Sequence, residues 1–229
     1  MNFVGHIHLA ALALPDRAEP ADRADSGFEV DRLGFLIGSA LPDIAAMGRF
    51  RLADRPTDQS IGAGVDLHHR TDDVFHRHPW FRHHSKAVAD ELDRAGLSRG
   101  AARACGHVGV ELLLDGLLLD DEGDLRPSVQ QAMSQLNRPR FELEAVVADE
   151  RQEDWADHLQ SVAGWTLPND YRRPVAVAER LRRILSRRPR LAFGSEQIAV
   201  VGSTLARQQP DLESGVDELV DDLSASLAA

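Results

Sequence analysis

The stretch GVDLHHRTDDVFHRHP, residues Gly64–Pro79, carries four histidines and three aspartates on a segment that predicts a single helix. With 3.6 residues per turn, His68, Asp72 and His76 stack along one face of that helix, and the apolar Val65 falls on the same face. The ionisable stripe is therefore predicted to point towards the apolar interior. Unpartnered ionisable groups there would each cost several kcal/mol, and a bound metal ion is the simplest compensation.

The rest of the chain predicts an all-α fold. Helical signals dominate and strand signals are nearly absent, and 229 residues suit one substantial domain, predicted to span residues 1–229 as a single helical bundle. Loops are predicted at 16–31 and 49–60 and a turn at 120–126. The histidine-rich helix is predicted to end near residue 76. A break is predicted at Pro42, and Ser98 is predicted as an N-cap. The other predicted helices span residues 3–14, 34–47, 80–95, 99–120, 141–162, 174–186, 192–207 and 211–227.

Composition restricts the classes of function. The net charge of −11 disfavours broad nucleic-acid binding, which depends on neutralising phosphates. No apolar run approaches the roughly 20 residues that span a bilayer. The N-terminal apolar run contains histidines and no preceding basic residues, so it predicts a buried helix better than a signal peptide. The single cysteine, Cys105, excludes an intramolecular disulfide, and we expect a cytoplasmic protein.

A second helix repeats the combination of imidazole and carboxylate. His107 and Glu111 are four residues apart, Asp115 follows one turn later, and the apolar residues around His107 predict that its ring points inward. Imidazole nitrogen and carboxylate oxygen suit zinc, manganese or ferrous iron, and the lack of thiolate pairs argues against a zinc finger. We expect one or two divalent ions per chain, of the hydrolytic kind that retains a water.

Two further residues become candidate ligands in this context. His6 aligns with the apolar Phe3 and Ala10 on the first helix, whereas His8 diverges from that face. Asp43 follows Pro42 directly and is predicted to face inward from a helix start. Taken singly, a histidine of this kind is more often a core residue and such an aspartate a cap or turn. Residues predicted to orient the ligands, without binding the ion themselves, are His8, His69, Asp73 and Asp115.

Four motifs resemble those of the acyl carrier protein phosphodiesterases. They occur in order along the chain and are MNFVGHIHLA at 1–10, GSALPD at 38–43, GVDLHHRTDDVFHRHP at 64–79 and SRRPRL at 186–191. Members of that family are helical, metal-dependent hydrolases that release 4′-phosphopantetheine from holo-acyl carrier protein, and they are related to HD-type phosphohydrolases. The resemblance implies an HD-like bundle and metal or catalytic roles for His6, Asp43, His68 and Asp72.

The chain departs from the family pattern at two places. It has His76 where the family carries an aspartate, and Glu111-Leu112 where the family carries an Asp-His pair. His107, one turn earlier, is a candidate to replace the missing histidine. The resemblance therefore implies a retained but rearranged metal centre.

An arginine-rich segment near residue 190 has two interpretations. Arg187, Arg188 and Arg190 are candidates to bind the substrate phosphate or an acidic acyl carrier protein. A solvated helix face is the alternative, and a homodimer is a further possible assembly.

The order of candidate ligands is also similar to that of zinc-dependent phospholipases C and single-strand nucleases. Both resemblances imply metal-assisted phosphoester hydrolysis. We predict His68, Asp72 and His76 as catalytic residues, with His76 either a further ligand or a general acid. The alternatives left open are a non-catalytic metal-binding homologue and a metal-free bundle whose histidines pair with carboxylates.

Overall fold

The computed structural model of the protein describes residues 1–14, 30–53, 55–120, 125–167 and 169–228. Within these ranges every regular element is helical and no strand occurs, so the predicted all-α class is confirmed. No helix in these ranges is both long enough and apolar enough to cross a bilayer. The α-helices are α1 (Phe3–Ala13), α2 (Arg32–Met47), α3 (Gln59–Phe75), α4 (Pro79–Arg94), α5 (Arg99–Asp120), α6 (Leu125–Ser134), α7 (Gln152–Ala163), α8 (Pro174–Leu185), α9 (Ile198–Ser214) and α10 (Val216–Ala228).

The chain divides into two compact units. One comprises Met1, residues 73–122 and residues 168–225; in it, α4 packs on α5 and α9, and α8 packs on the same two helices. The other comprises residues 2–72, 123–167 and 226–229; in it, α1 packs on α2 and α6, and α6 contacts α7. The single-domain organisation of the whole chain stays a prediction.

Helix α2 runs through Pro42 without a break, contrary to the prediction. The proline removes one backbone hydrogen-bond donor, but Leu41 and Ile44 on either side are fully buried and hold both halves of the helix in the core. Asp43 consequently lies inside α2 and not at a helix start. The helix begins where Asp31 caps it, with the carboxylate accepting from the Leu33 amide at 3.2 Å.

Two glycines allow α2 and α3 to approach backbone to backbone. A Cβ on Gly38 would lie 2.1 Å from the carbonyl oxygen of Ile61, and a Cβ on Gly64 would lie 2.3 Å from the carbonyl oxygen of Phe35. Both distances are far below van der Waals contact, so any side chain at either position would force the helices apart. This close crossing sets the position of the histidine-rich face of α3 against α2.

The segment between α5 and α7 differs from its prediction. Residues 125–134 form α6, which was not predicted, and residues 141–162 are not one helix, because short 3₁₀ turns precede α7. Glu142 adopts a left-handed backbone with φ of 49°, which interrupts helical continuity. Trp155 anchors the turns to α7, since its buried Nε1 donates to the Leu143 carbonyl at 2.7 Å.

The C-terminal helices meet at a different residue from the one predicted. Helix α9 continues through Pro210 to Ser214, so the predicted break before residue 211 is wrong. The buried Leu205 and Leu212 lie on either side of the proline and keep both parts of α9 packed. Helix α9 ends at Gly215, where a Cβ would lie 2.8 Å from Nε1 of Trp80.

Side chains cap the first turns of two helices, one of them at the predicted Ser98. Ser98 Oγ accepts from the Ala101 amide at 3.3 Å at the start of α5, and His78 Nδ1 accepts from the Trp80 amide at 3.3 Å at the start of α4. Gly96, with φ of 91°, follows the end of α4 in a conformation that only glycine adopts readily. The predicted loop at 16–31 lies almost wholly outside the described residues.

Candidate metal centre

Three helices of one unit bring a first set of candidate ligands together. Donor atoms of His6 on α1, Asp43 on α2 and His68 on α3 all lie within 4.8 Å of one another. Asp72, one turn after His68, completes the set, which we call group A (His6, Asp43, His68 and Asp72). The side chains of the two histidines are almost wholly buried, while those of the aspartates are 24% and 33% exposed. Group A therefore has buried imidazoles and partly accessible carboxylates.

The distances in group A suit coordination of a small cation. His6 Nε2 lies 3.2 Å from Asp72 Oδ1 and 4.0 Å from Asp43 Oδ2, and His68 Nε2 lies 3.6 Å from Asp72 Oδ2. The two imidazole rings stack with centroids 3.8 Å apart. Ligand atoms about 2.1 Å from a tetrahedral zinc ion are about 3.4 Å from each other, which falls within this range of distances.

The orientation of His68 is determined by a backbone carbonyl. Its Nδ1 lies 2.8 Å from the carbonyl oxygen of Ser39, so Nδ1 carries a proton and donates it. Burial, together with the neighbouring His6 ring, lowers the pKa of His68 to about 3, so the ring is neutral near pH 7. Nε2 then presents a lone pair to a carboxylate oxygen of Asp72. A cation between them would be bound by one nitrogen and one oxygen donor.

Asp72 is ionised in this setting. Burial alone would raise the pKa of its carboxyl, but the hydrogen bond from His6 is among the interactions that hold the pKa below its usual range. Group A therefore combines a neutral imidazole in His68 with an ionised carboxylate in Asp72. This combination of nitrogen and oxygen donors is typical of zinc, manganese and ferrous iron sites.

A second set of candidate ligands lies in the other unit, and we call it group B (His76, His107 and Glu111). Donor atoms of these residues also lie within 4.8 Å of one another. His76 Nε2 and His107 Nε2 lie 3.1 and 3.2 Å from the same carboxylate oxygen, Oε1 of Glu111. The amino group of Met1 lies 3.2 Å from that oxygen. Both imidazole rings contact the buried ring of Phe81 edge-on.

His107 is half-exposed, so the prediction that it points inward is wrong. Its side chain is 49% exposed, whereas Val110 and Leu114 of the same helix are fully buried. The reason is angular: a residue three positions before Val110 lies about 60° round the helix, at the edge of the buried face. From that edge its ring reaches Glu111 one turn on.

Glu111 is ionised although it is almost wholly buried. Burial would raise the pKa of its carboxyl, but hydrogen bonds from His107 and His76 hold the pKa below its usual range. The amino group of Met1, which can only donate, also lies 3.3 Å from Nε2 of His76. Group B therefore already has a positively charged donor beside the Glu111 carboxylate, the amino group of Met1.

The residues predicted to orient the ligands have different surroundings. His8 is half-buried on α1, and His69 is exposed with its ring edge-on to His68, 5.4 Å between centroids. Asp73 is exposed and pairs with Arg77 at 3.1 Å, so the structure does not bring it to either group. Asp115 is fully buried on α5, one turn beyond Glu111.

The arginines proposed for phosphate or partner binding are on the surface. Arg187, Arg188 and Arg190 are all exposed and follow the end of α8. Arg188 and Arg190 have no carboxylate within ion-pair distance among the described residues. They are therefore available to an external anion.

Sequence reasoning missed the carbonyl of Ser39, which orients His68. A backbone acceptor carries no residue-type signal, and only the neighbouring Gly38 marks the close helix crossing that places it. No protein-family model, curated protein or solved structure matches the chain. The function is therefore inferred from the geometry of groups A and B.

Proposed function

We propose that this protein is a metal-dependent phosphoric ester hydrolase that acts on a phosphodiester. The observation that carries the proposal is the pairing in group A of the neutral Nε2 of His68 with the ionised Asp72, 3.6 Å away. A neutral imidazole nitrogen and an ionised carboxylate oxygen at this separation are a donor pair that one divalent cation can bridge. Manganese, zinc or ferrous iron, with one or two ions per chain, suits these donors.

The chain's own residues supply the binding and the orientation. His6 and His68 would hold the ion from the buried side, and Asp43 and Asp72 from the more accessible side. When bound, such an ion lowers the pKa of water and offsets negative charge on a phosphoryl oxygen. The Ser39 carbonyl keeps His68 in the tautomer with a free Nε2, as partners of ligating histidines do in known metal sites. A catalytic role for His76 stays a prediction.

The substrate that we would test first is 4′-phosphopantetheine attached to an acyl carrier protein. The exposed Arg188 and Arg190, which lack carboxylate partners among the described residues, support an acidic protein substrate. The overall charge of −11 makes a local basic surface the place where such a partner would bind. The HD-like topology implied by the resemblance belongs to the same proposal.

Metal analysis and a model phosphodiester test the proposal. We would measure bound metals in the purified protein and the hydrolysis of bis-p-nitrophenyl phosphate. His68→Ala and Asp72→Ala are expected to lose bound metal and to lower turnover at least a hundredfold. His83→Ala is the matched control, because it removes an exposed imidazole on α4 and should leave both measurements unchanged.

The results separate the candidate functions. Unchanged metal content in His68→Ala and Asp72→Ala would refute the ligand assignment. Bound metal without turnover of any phosphodiester would indicate a non-catalytic metal-binding protein. Release of 4′-phosphopantetheine from holo-acyl carrier protein, reduced when Arg188 and Arg190 are both changed to Glu, would support the carrier-protein substrate.

A further inference from the structure

The second half of α8 and the turns that follow it are strongly basic. Residues 180–190, RLRRILSRRPR, contain six arginines and no carboxylate, although the whole protein carries a net charge of −11. Glu179 is the one carboxylate of α8, and it forms no ion pair with Arg183 one turn later. Arg183, like Arg188 and Arg190, therefore has no carboxylate within ion-pair distance among the described residues, and its charge is available to a partner.

Three arginines and an exposed isoleucine share one flank of α8. Arg180, Arg183 and Ile184 of the helix, with Arg187 in the turn that follows, are spaced i, i+3, i+4 and i+7. At 3.6 residues per turn they fall within about 100° of one another round the helix axis. Ile184 is 42% exposed. We call this set the α8 surface (Arg180, Arg183, Ile184 and Arg187); it places one apolar side chain among three positive charges.

The fold holds parts of this basic region in place. The guanidinium of Arg180 lies 4.6 Å from the centre of the buried Tyr171 ring, a cation–π contact that restricts its side chain. After α8, the amide of Arg188 donates to a carbonyl three residues earlier at 2.9 Å. The carbonyl oxygen of Arg190 lies so near Gly100 that a Cβ there would be 3.0 Å from it. Because these groups are already ordered, less conformational entropy is lost when a partner binds.

The spacing of the α8 surface fits a helix better than a small anion. Seven residues at a rise of 1.5 Å span about 10 Å, so Arg180 and Arg187 are too far apart for one phosphate group. Carboxylates three or four residues apart on one face of another helix match this spacing, and an apolar residue between them would meet Ile184. The α8 surface therefore favours an acidic amphipathic helix.

A lipid surface fits the α8 surface less well. Amphipathic helices that bind membranes insert an apolar face between the lipid headgroups. The apolar face of α8, formed by Val177, Leu181 and Leu185, is buried in the protein core. Ile184 is then the one apolar side chain that the α8 surface offers to a bilayer.

We propose that the α8 surface docks an acidic amphipathic helix of a partner protein, with Ile184 against an apolar side chain of that helix and the arginines beside its carboxylates. This inference rests on the proposed function, because it states how the acidic substrate protein binds. To the role already proposed for Arg188 and Arg190 it adds an apolar contact and a defined stripe on α8.

Binding of an acyl carrier protein that lacks its phosphopantetheine group tests docking apart from catalysis, because that form contains no phosphodiester to hydrolyse. We would measure its dissociation constant for the full-length protein by calorimetry at low and high ionic strength. Arg183→Glu is expected to weaken binding about tenfold at low ionic strength and much less at high, because salt screens the charges. Ile184→Ser is expected to weaken binding about fivefold at both, because salt does not screen an apolar contact.

Two control variants match these changes. Arg138→Glu alters the net charge equally at an exposed arginine of the other compact unit. Val175→Ser replaces an apolar residue of α8 that is 53% exposed and lies opposite Ile184 round the helix. Both controls should bind the carrier protein as the unchanged protein does. Circular dichroism of each variant shows that the fold is retained, and Arg183→Gln covers the case in which Arg183→Glu does not fold.

The docking inference and the hydrolase function fail in different ways. If the unchanged protein does not bind the carrier protein, or if Arg183→Glu and Ile184→Ser bind it as tightly as their controls, the docking inference is overturned. It is also overturned if the α8 surface binds vesicles of phosphatidylserine and phosphatidylcholine and not the carrier protein. If the carrier protein binds as expected but no phosphodiester is hydrolysed, the hydrolase function fails and the docking surface stands.

Discussion

Replacing Gly64 with alanine tests whether the close crossing of α2 and α3 holds His68 in its metal-binding orientation. The new Cβ would lie 2.3 Å from the Phe35 carbonyl oxygen and 2.7 Å from the Ser39 amide nitrogen. Carbon–oxygen contacts are normally about 3.3 Å or longer, so the helices would have to separate by about 1 Å. The same movement would stretch the 2.8 Å bond between His68 and Ser39 beyond hydrogen-bonding distance.

The expected cost has two parts. Overpacking against backbone atoms costs about 1–3 kcal/mol, and a buried His68 N–H left without its acceptor adds a comparable amount. The two parts overlap, because the separation that relieves the first causes the second, so we expect about 2–4 kcal/mol in total. The gain of about 1 kcal/mol from replacing glycine inside a helix offsets part of this cost.

Gly62→Ala is the matched control on the same helix. Its Cβ would meet only the guanidinium of Arg55, an exposed and flexible group, at 3.0 Å, so it should gain helix propensity without a backbone clash. The free energy of unfolding in urea should be about 2–4 kcal/mol lower for Gly64→Ala than for Gly62→Ala. Metal analysis should show that only Gly64→Ala has lost its bound ion. Equal stability and equal metal content in the two variants would refute the reasoning.

Three further predictions concern the core, pH and the surface. Trp155→Phe should cost about 1–3 kcal/mol in urea unfolding, because it leaves the buried Leu143 carbonyl without its donor; an unchanged midpoint would contradict this. In the metal-free protein the pKa of His68 is about 3, against its usual 6.5. Between these two pH values only the unfolded ring takes up a proton. The contribution of His68 to the free energy of unfolding is therefore fully present above pH 6.5 and is lost as the pH falls towards 3. Over this pH range the free energy of unfolding should rise with pH more steeply than in His68→Asn, by up to about 1.4 kcal/mol per pH unit. Equal slopes in the two proteins would contradict the prediction. Asp73→Ala should leave thermal stability and metal content unchanged, because its ion pair with Arg77 is exposed; loss of metal would restore Asp73 as an orienting residue.

Helix periodicity explains why part of the candidate site was predictable. His68 and Asp72 are four residues apart on α3, and His107 and Glu111 are four apart on α5, so each pair is local and can be recognised along the chain. The pairing of His6 with Asp72 at 3.2 Å joins residues far apart in sequence, and only the apolar neighbours of His6 indicated its direction.

The helix ends near prolines were predicted less well, because the outcome depends on packing. Pro42 and Pro210 both carry the local signal for a helix break, yet α2 and α9 continue through them. Buried residues on each side stabilise the continuous helix by more than the lost backbone hydrogen bond costs. Such a comparison needs contacts from distant parts of the chain, which a local pattern does not contain.

The sequence by itself determined the all-α class and the presence of imidazoles and carboxylates at metal-binding spacing, because both depend on the period of a single helix. Only the tertiary structure decided how the candidate ligands divide. His76 joins His107 and Glu111, whereas His6 and Asp43 join His68. The physical reason in group A is that the close approach of α2 and α3 at Gly38 and Gly64 brings His68 against the Ser39 carbonyl, which sets the direction of its Nε2.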